Sequence, residues 1–254
     1  MSDLGNLRGD LVWHTFNSRE SLAEELATRI SDGLSKAYTS RDQACIAFSG
    51  GSTPKPLFKA LQTKPVEWQN VLTTLVDERW VPNDHELSND QFITSNLLKA
   101  LDPAPIFIPL FLDDKEANEA CTKIASNFDE ARIVRGSGPT NKRFDTVVLG
   151  MGDDGHTASF FPDAENIGEL VKYDAEQVLQ TCISPASQTQ RITWSLAALL
   201  DTQELVLHIT GRAKRELFEK ATEAAYCTDE ELAVWPIRAM AYQRHVTLHI
   251  YYAD

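Results

Sequence analysis

FDTVVLGMGDDGH, residues 144–156, carries an apolar run that breaks into a glycine-rich turn. Phe144 to Leu149 have the make-up of a buried strand. Gly150, Gly152 and Gly155 follow at the spacing G-x-G-x-x-G, which in dinucleotide-binding proteins cradles a pyrophosphate. Three features speak against that use. Asp153 and Asp154 stand inside the loop and would repel a pyrophosphate. About 20 residues on, where an acid ending a second strand should hold the ribose, the chain reads GELVKYDAEQ. The glycines also fall midway along the chain instead of after its first strand. The turn reads instead as a device that lifts Asp154 and His156 over a strand end. A carboxylate two residues from an imidazole can orient the ring or raise its basicity. The plainer use of His156 is a buried, hydrogen-bonded side chain.

Outward from this stretch, strand and helix patterns alternate. Leu11 to Phe16 reads as a strand, and Leu22, Leu26, Ile30 and Leu34 then recur every four residues on an amphipathic helix. CIAFS (45–49) is a buried strand closed by Gly-Gly, and a helix opens at Pro54. VLTTLVDER (71–79) reads as one strand, and SNDQFITSNLLKAL (88–101) as a capped helix. Residues 106–112 predict a strand, 114–134 a helix, and 135–143 a turn-rich loop. No element is assigned over 163–203. ELVLHITG (204–211) is a strand feeding the helix GRAKRELFEKATEAAY, and HVTLHIYY (245–252) a last strand. The alternation predicts an α/β fold: a mostly parallel sheet with helices on both faces. With no repeat, low-complexity tract or linker, residues 1–254 read as a single domain.

Composition narrows the function. The 254 residues carry a net charge of −13, which argues against a nucleic-acid surface. A small anionic substrate needs a local basic pocket in such a chain. Four cysteines without C-x-x-C spacing read as reduced packing residues, and the start MSDLGNLRGDLVW has no signal-peptide pattern. The expectation is a cytoplasmic protein. No apolar run reaches the roughly 18 residues of a membrane span, so no membrane partner is expected. No histidine spacing predicts a metal site. His245 and His249, on one face of the last predicted strand, lie roughly 13 Å apart, and His14, His85 and His208 read as isolated.

In a parallel sheet, ligands bind beyond the carboxyl ends of the strands. Four polar signatures fall there. SGGSTP supplies Gly50 and Gly51 for close backbone approach, Ser52 and Thr53 for hydroxyls, and a helix start favourable to phosphate. It reads equally as a tight turn with a helix cap. In DERW, Asp77 and Glu78 should point to opposite faces, so one can face the site while the other braces a loop. The third is the quoted glycine turn. TGRAK places Lys214 in the first turn of a helix beside a strand end, and Arg191 opens the buried-looking run ITWSLAALL. Each cation alone also suits a surface salt bridge.

With these segments in order, the chain resembles the 6-phosphogluconolactonases. The resemblance rests on SGGSTPKPLF (49–58), VDERWVPNDHELSN (76–89), LGMGDDGHTASFFP (149–162), RIT (191–193) and TGRAK (210–214), and so spans most of the chain. It implies a single Rossmann-like domain, no required cofactor, and hydrolysis of the δ-lactone of 6-phosphogluconate in the oxidative pentose phosphate pathway. The implied partner is a small phosphosugar lactone, and the implied state a monomer or weak homo-oligomer. Gly50, Gly51, Ser52 and Thr53 would line the phosphate loop, and Arg79, Arg191 and Lys214 would hold charged and polar groups of the substrate. His156 matches the catalytic base and Asp154 the acid beside it. Asp77 aligns with an acid that serves as a base in related deaminases. The motif's common ending LFPG is FFPD here. Glucosamine-6-phosphate deaminases share the fold but carry a glutamate five residues after the histidine, where this chain has Phe161. A non-catalytic sugar-phosphate sensor is the remaining alternative. It calls for an effector domain, for which the ten residues before the first predicted strand leave no space.

Overall fold

A computed structural model describes residues 6–134, 142–184 and 186–254. The first half contains β1 (Asn6–Leu7), β2 (Leu11–Phe16), α1 (Arg19–Arg41), β3 (Ala44–Phe48), α2 (Lys55–Leu61), β4 (Val71–Leu75), β5 (Asp77–Arg79), α3 (Asn89–Asn96) and β6 (Ile106–Ile108). Next come α4 (Ala117–Val134), β7 (Phe144–Leu149), α5 (Ile167–Leu170), β8 (Leu179–Ser184), β9 (Thr189–Trp194) and α6 (Leu196–Leu200). The chain closes with β10 (Thr202–Thr210), α7 (Arg212–Ala221), β11 (Tyr226–Cys227), α8 (Asp229–Val234), α9 (Arg238–Ala241) and β12 (Leu248–Ala253). Most of the loop expected over 135–143 lies outside the described residues.

Seven strands form one parallel sheet in the order β2-β12-β10-β7-β3-β4-β6. Its middle strands β3 and β4 are buried on both faces, which explains why β3 reads as a continuous apolar run. Helices cover the two faces. On one, α1 buries Leu22, Leu26, Ile30 and Leu34, with Ser18 and Ser21 closing a capping box at its start. On the other, Phe218 of α7 meets the edge of Trp13 in β2, ring centroids 5.5 Å apart. Among the described residues, no helix is long and apolar enough to cross a membrane.

Several boundaries differ from the sequence reading. VLTTLVDER is two strands in two sheets. β4 belongs to the parallel sheet, while β5 pairs antiparallel with β9 in the three-stranded sheet β5-β9-β8. Val76 makes the transfer: its N–H bonds the Phe48 carbonyl at 2.9 Å, and its carbonyl accepts from Trp194 at 3.1 Å. The helix expected over 88–101 ends at Asn96 and is followed by a 3₁₀ turn at Leu98–Ala100. The strand expected over 106–112 stops at Ile108, and the helix expected from 114 begins at Ala117. The last strand begins at Leu248, so His245 precedes it. The unassigned stretch 163–203 contains the β8–β9 hairpin.

His14 is not isolated. It lies beside Tyr251 in register, and its Nε2 is 3.1 Å from Nδ1 of His249. Arg29 approaches the other ring nitrogen of His249 at 3.3 Å. Since a guanidinium only donates, His249 Nε2 is the acceptor and its Nδ1–H is directed to His14. Burial and the nearby Arg29 push the His249 pKa down to about 4.

Candidate active site

The carboxyl ends of β3, β7 and β10 open into a cleft of about 280 Å³. Gly50, Gly51, Ser52, Thr53, Asp77, Arg79, His156, Arg191 and Lys214 all line it. Of the residues anticipated from the sequence, Asp154 alone is outside this lining; it stands behind His156 and acts on its ring.

The β7 turn is tightly closed. Gly152 N–H bonds the His156 carbonyl at 2.8 Å, and the Thr157 hydroxyl bonds the Gly150 carbonyl at 2.8 Å. A Cβ on Gly152 would stand 2.1 Å from the His156 ring, so any side chain there would evict the imidazole. His156 Nδ1 is 2.5 Å from Asp154 Oδ1, which also accepts the His156 backbone N–H at 3.0 Å. Burial pushes the Asp154 carboxyl up, but the His156 hydrogen bonds prevail and hold it below the usual carboxylate range. With Nδ1–H held by the carboxylate, Nε2 is left as the proton acceptor.

Three cations line the same cleft. Lys214, in the first turn of α7, donates to the Met151 carbonyl at 2.6 Å and lies 3.9 Å from Asp153. Arg79 and Arg191 are register partners across β5 and β9. Both have a buried Nε without a hydrogen-bond partner. Arg79 donates to the Leu87 carbonyl. Arg191 is 3.9 Å from Asp77 Oδ2, and its guanidinium sits 5.4 Å from the centre of the Phe161 ring. Burial chiefly lowers the Arg191 pKa. Phe161 also packs 4.7 Å from the His156 ring, centroid to centroid. Phe161 thus packs against both the imidazole and the guanidinium.

Asp77 and Glu78 diverge as strand alternation demands. Asp77 lines the cleft and accepts from the Ser159 hydroxyl at 2.6 Å. Glu78 is fully buried on the opposite side and braces the start of α3. On the β3 side, Pro54 has no N–H and Lys55 N–H bonds the Ser52 carbonyl at 3.3 Å. A ligand here would meet the loop backbone, Ser52 and Thr53 rather than the first helical residues. The Ser49 hydroxyl accepts from Gly150 N–H at 3.1 Å and ties this loop to the glycine turn after β7.

Sequence reasoning missed Ser49, Asn89, Ser159 and His208. His208 lines the cleft, is 4% exposed, and has no partner on Nδ1. Burial, then the charge of Lys214, pushes its pKa down to about 4, so it is neutral at ordinary pH. Its only signal in the sequence is a titratable residue inside the apolar strand leading to TGRAK. Among the described residues, no three His, Cys, Asp or Glu side chains are grouped to hold a metal.

The family model described as glucosamine-6-phosphate isomerases/6-phosphogluconolactonase matches residues 17–249. The chain belongs to that family. It is 38% identical over 240 residues to a 6-phosphogluconolactonase of Rhizobium meliloti, covering 94% of this chain and 97% of that protein. Identity to a 6-phosphogluconolactonase of Mesorhizobium japonicum is 38% over 209 residues, 82% of this chain and 84% of that one. A crystal structure of a 6-phosphogluconolactonase from Shewanella baltica matches with a TM-score of 0.86 at 28% identity, covering 98% of this chain and all of that chain. The family description names two chemistries, so the side chains in the cleft must decide between them.

Proposed function

We propose that this protein hydrolyses 6-phospho-D-glucono-1,5-lactone to 6-phospho-D-gluconate, the lactone-opening step of the oxidative pentose phosphate pathway. The observation that carries the reading is the His156–Asp154 pair in a cleft with Arg79, Arg191 and Lys214, beside Phe161 in place of an acid. A lactone is an activated ester, so water needs only a base and a site that tolerates the developing oxyanion. His156 Nε2 takes a proton from water as the oxygen adds to the lactone carbonyl. Asp154 holds the ring and offsets the charge of the imidazolium. When the tetrahedral intermediate collapses, the imidazolium returns the proton to the departing ring oxygen. No covalent enzyme intermediate is needed.

The cations and the Gly50–Thr53 loop take the phosphate and the polar groups of the sugar. Asp77, bonded to Ser159 and close to Arg191, holds that arginine in place. The deaminase reading is disfavoured because Phe161 cannot move protons. A cytoplasmic, monomeric or weakly self-associating protein goes with this proposal.

The test is a rapid coupled assay on freshly made lactone, with spontaneous opening subtracted, beside an ammonia assay on glucosamine 6-phosphate. Enzyme-dependent lactone opening without ammonia release is expected. Ammonia release, or no acceleration of lactone opening, overturns the proposal.

A further inference from the structure

We infer that Glu78 is a positioning residue for the reaction proposed above: by bracing the start of α3 it fixes the Leu87 carbonyl, and with it the direction of the Arg79 guanidinium. The inference rests on that functional reading for its substrate.

Glu78 has no exposed surface. Its two oxygens accept from Arg79 N–H at 2.6 Å, Ser88 Oγ at 3.0 Å, Asn89 N–H at 2.8 Å and Asp90 N–H at 2.7 Å. All four donors are neutral, and three belong to the segment that begins α3. One residue before that segment, the Leu87 carbonyl accepts from Arg79 Nη1. The carboxylate therefore closes a ring: strand to helix start, helix start to Leu87, Leu87 back to the side chain that follows Glu78. The same segment reaches the glycine loop. Asn89 donates to the Asp77 carbonyl at 2.9 Å, and its Oδ1 would be 2.0 Å from a Cβ on Gly50.

Keeping a charge on the buried Glu78 is costly. Burial pushes its pKa up to about 6, against hydrogen bonds that favour the ionised form. Charged groups around it are Asp77 and Arg79 on its own strand, Arg191 on β9 and Asp90 on α3. A protonated or amide side chain would turn a donor toward donors, so the four contacts require the carboxylate.

The experiment uses Glu78→Gln, Ser88→Ala and Arg79→Ala, alone and with each of the first two combined with the third. Two quantities are read: kcat and KM with the lactone, and calorimetric affinity for inorganic phosphate. Glu78→Gln is expected to weaken phosphate binding and raise KM by about tenfold while kcat stays within about twofold. Ser88→Ala should do the same to a smaller extent. Neither should add more than about twofold to Arg79→Ala, because both act through that residue. Effects that multiply, or a fall in kcat with phosphate affinity unchanged, overturn the inference. Should Glu78→Gln fail to fold, the Ser88→Ala pair carries the same test. Wild-type protein that binds no phosphate also overturns it. Absence of wild-type turnover with the phosphate cycle intact sinks the proposed function instead, and leaves Glu78 positioning an anion-binding arginine.

Discussion

Arg79 and Arg191 face each other across two antiparallel strands, each with an Nε that is buried and without a partner. Like charges directly opposite on a sheet are destabilising, and buried unpaired donors add to the cost. An anion between them relieves both. Inorganic phosphate or sulfate should therefore raise the melting temperature of the wild type and compete with substrate. Arg191→Ala should lose that thermal shift and raise KM by roughly tenfold or more. Unchanged anion stabilisation in the mutant would assign Arg191 to structure.

Lys214→Ala is expected to raise KM by a similar factor, about tenfold, with little change in melting temperature. Its ammonium reaches the cleft from the first turn of α7, and the substitution loses a hydrogen bond to the Met151 carbonyl and a long ion pair with the exposed Asp153. Comparing phosphorylated and unphosphorylated gluconolactone shows what it holds. If Lys214 meets the phosphate, the penalty shrinks for the unphosphorylated lactone. Equal kcat/KM of the wild type for both lactones would remove the phosphate from the site altogether.

For His156→Asn the expected loss is in kcat, by about 10²–10⁴-fold, with affinity for 6-phosphogluconate nearly intact. Asp154→Asn should lower kcat as well, since its amide offers Nδ1 no anionic acceptor. The double variant should be little worse than His156→Asn alone, because the two act as one unit. Near-normal kcat in His156→Asn would direct the search for the base to Asp77 and Asp154.

Stability should rise with pH between about 4 and 6.5. His208 and His249 have folded pKa values of about 4, below the unfolded value of 6.5. In that window the unfolded chain binds protons that the folded chain refuses, so their contribution is full above 6.5 and lost as pH falls toward 4. Glu78 runs the other way: its folded pKa of about 6 exceeds 4.5, so its contribution to stability weakens as pH rises through that interval. Two histidines outweigh one glutamate. Urea midpoints at pH 7.5 and 5.0 measure the sum, and His208→Gln should flatten the difference. A midpoint that climbs on acidification would contradict the assigned directions.

What was legible in the sequence was what is local. β3, β7 and β10 announce themselves because a strand buried on both faces is an apolar run between turn residues. The Asp154–His156 pair spans two positions and could be read directly. The Asp77–Ser159 bond joins residues 82 positions apart, and nothing in either segment signals it. β8 hides because its pattern is inverted, with Ile183 55% exposed and Ser184 3% exposed. β5 follows β4 after a single residue with no turn signal between them, so it reads as the tail of β4 until β9 is placed beside it. His208 sits in a strand whose two faces are both covered, where alternation carries no contrast.

The pairing of β5 with β9 makes the charge pattern of the cleft a matter of strand register. A slip of one residue would set Gln190 or Ile192 opposite Arg79 and turn Arg191 to the other face. Val76 holds β3 on one side and β9 on the other, so such a slip would also break its bond to Trp194. Folding of the small sheet and the pairing of Arg79 with Arg191 at the proposed anion site are thus one event. In a refolding experiment, recovered catalytic activity would count the molecules whose strands are correctly aligned.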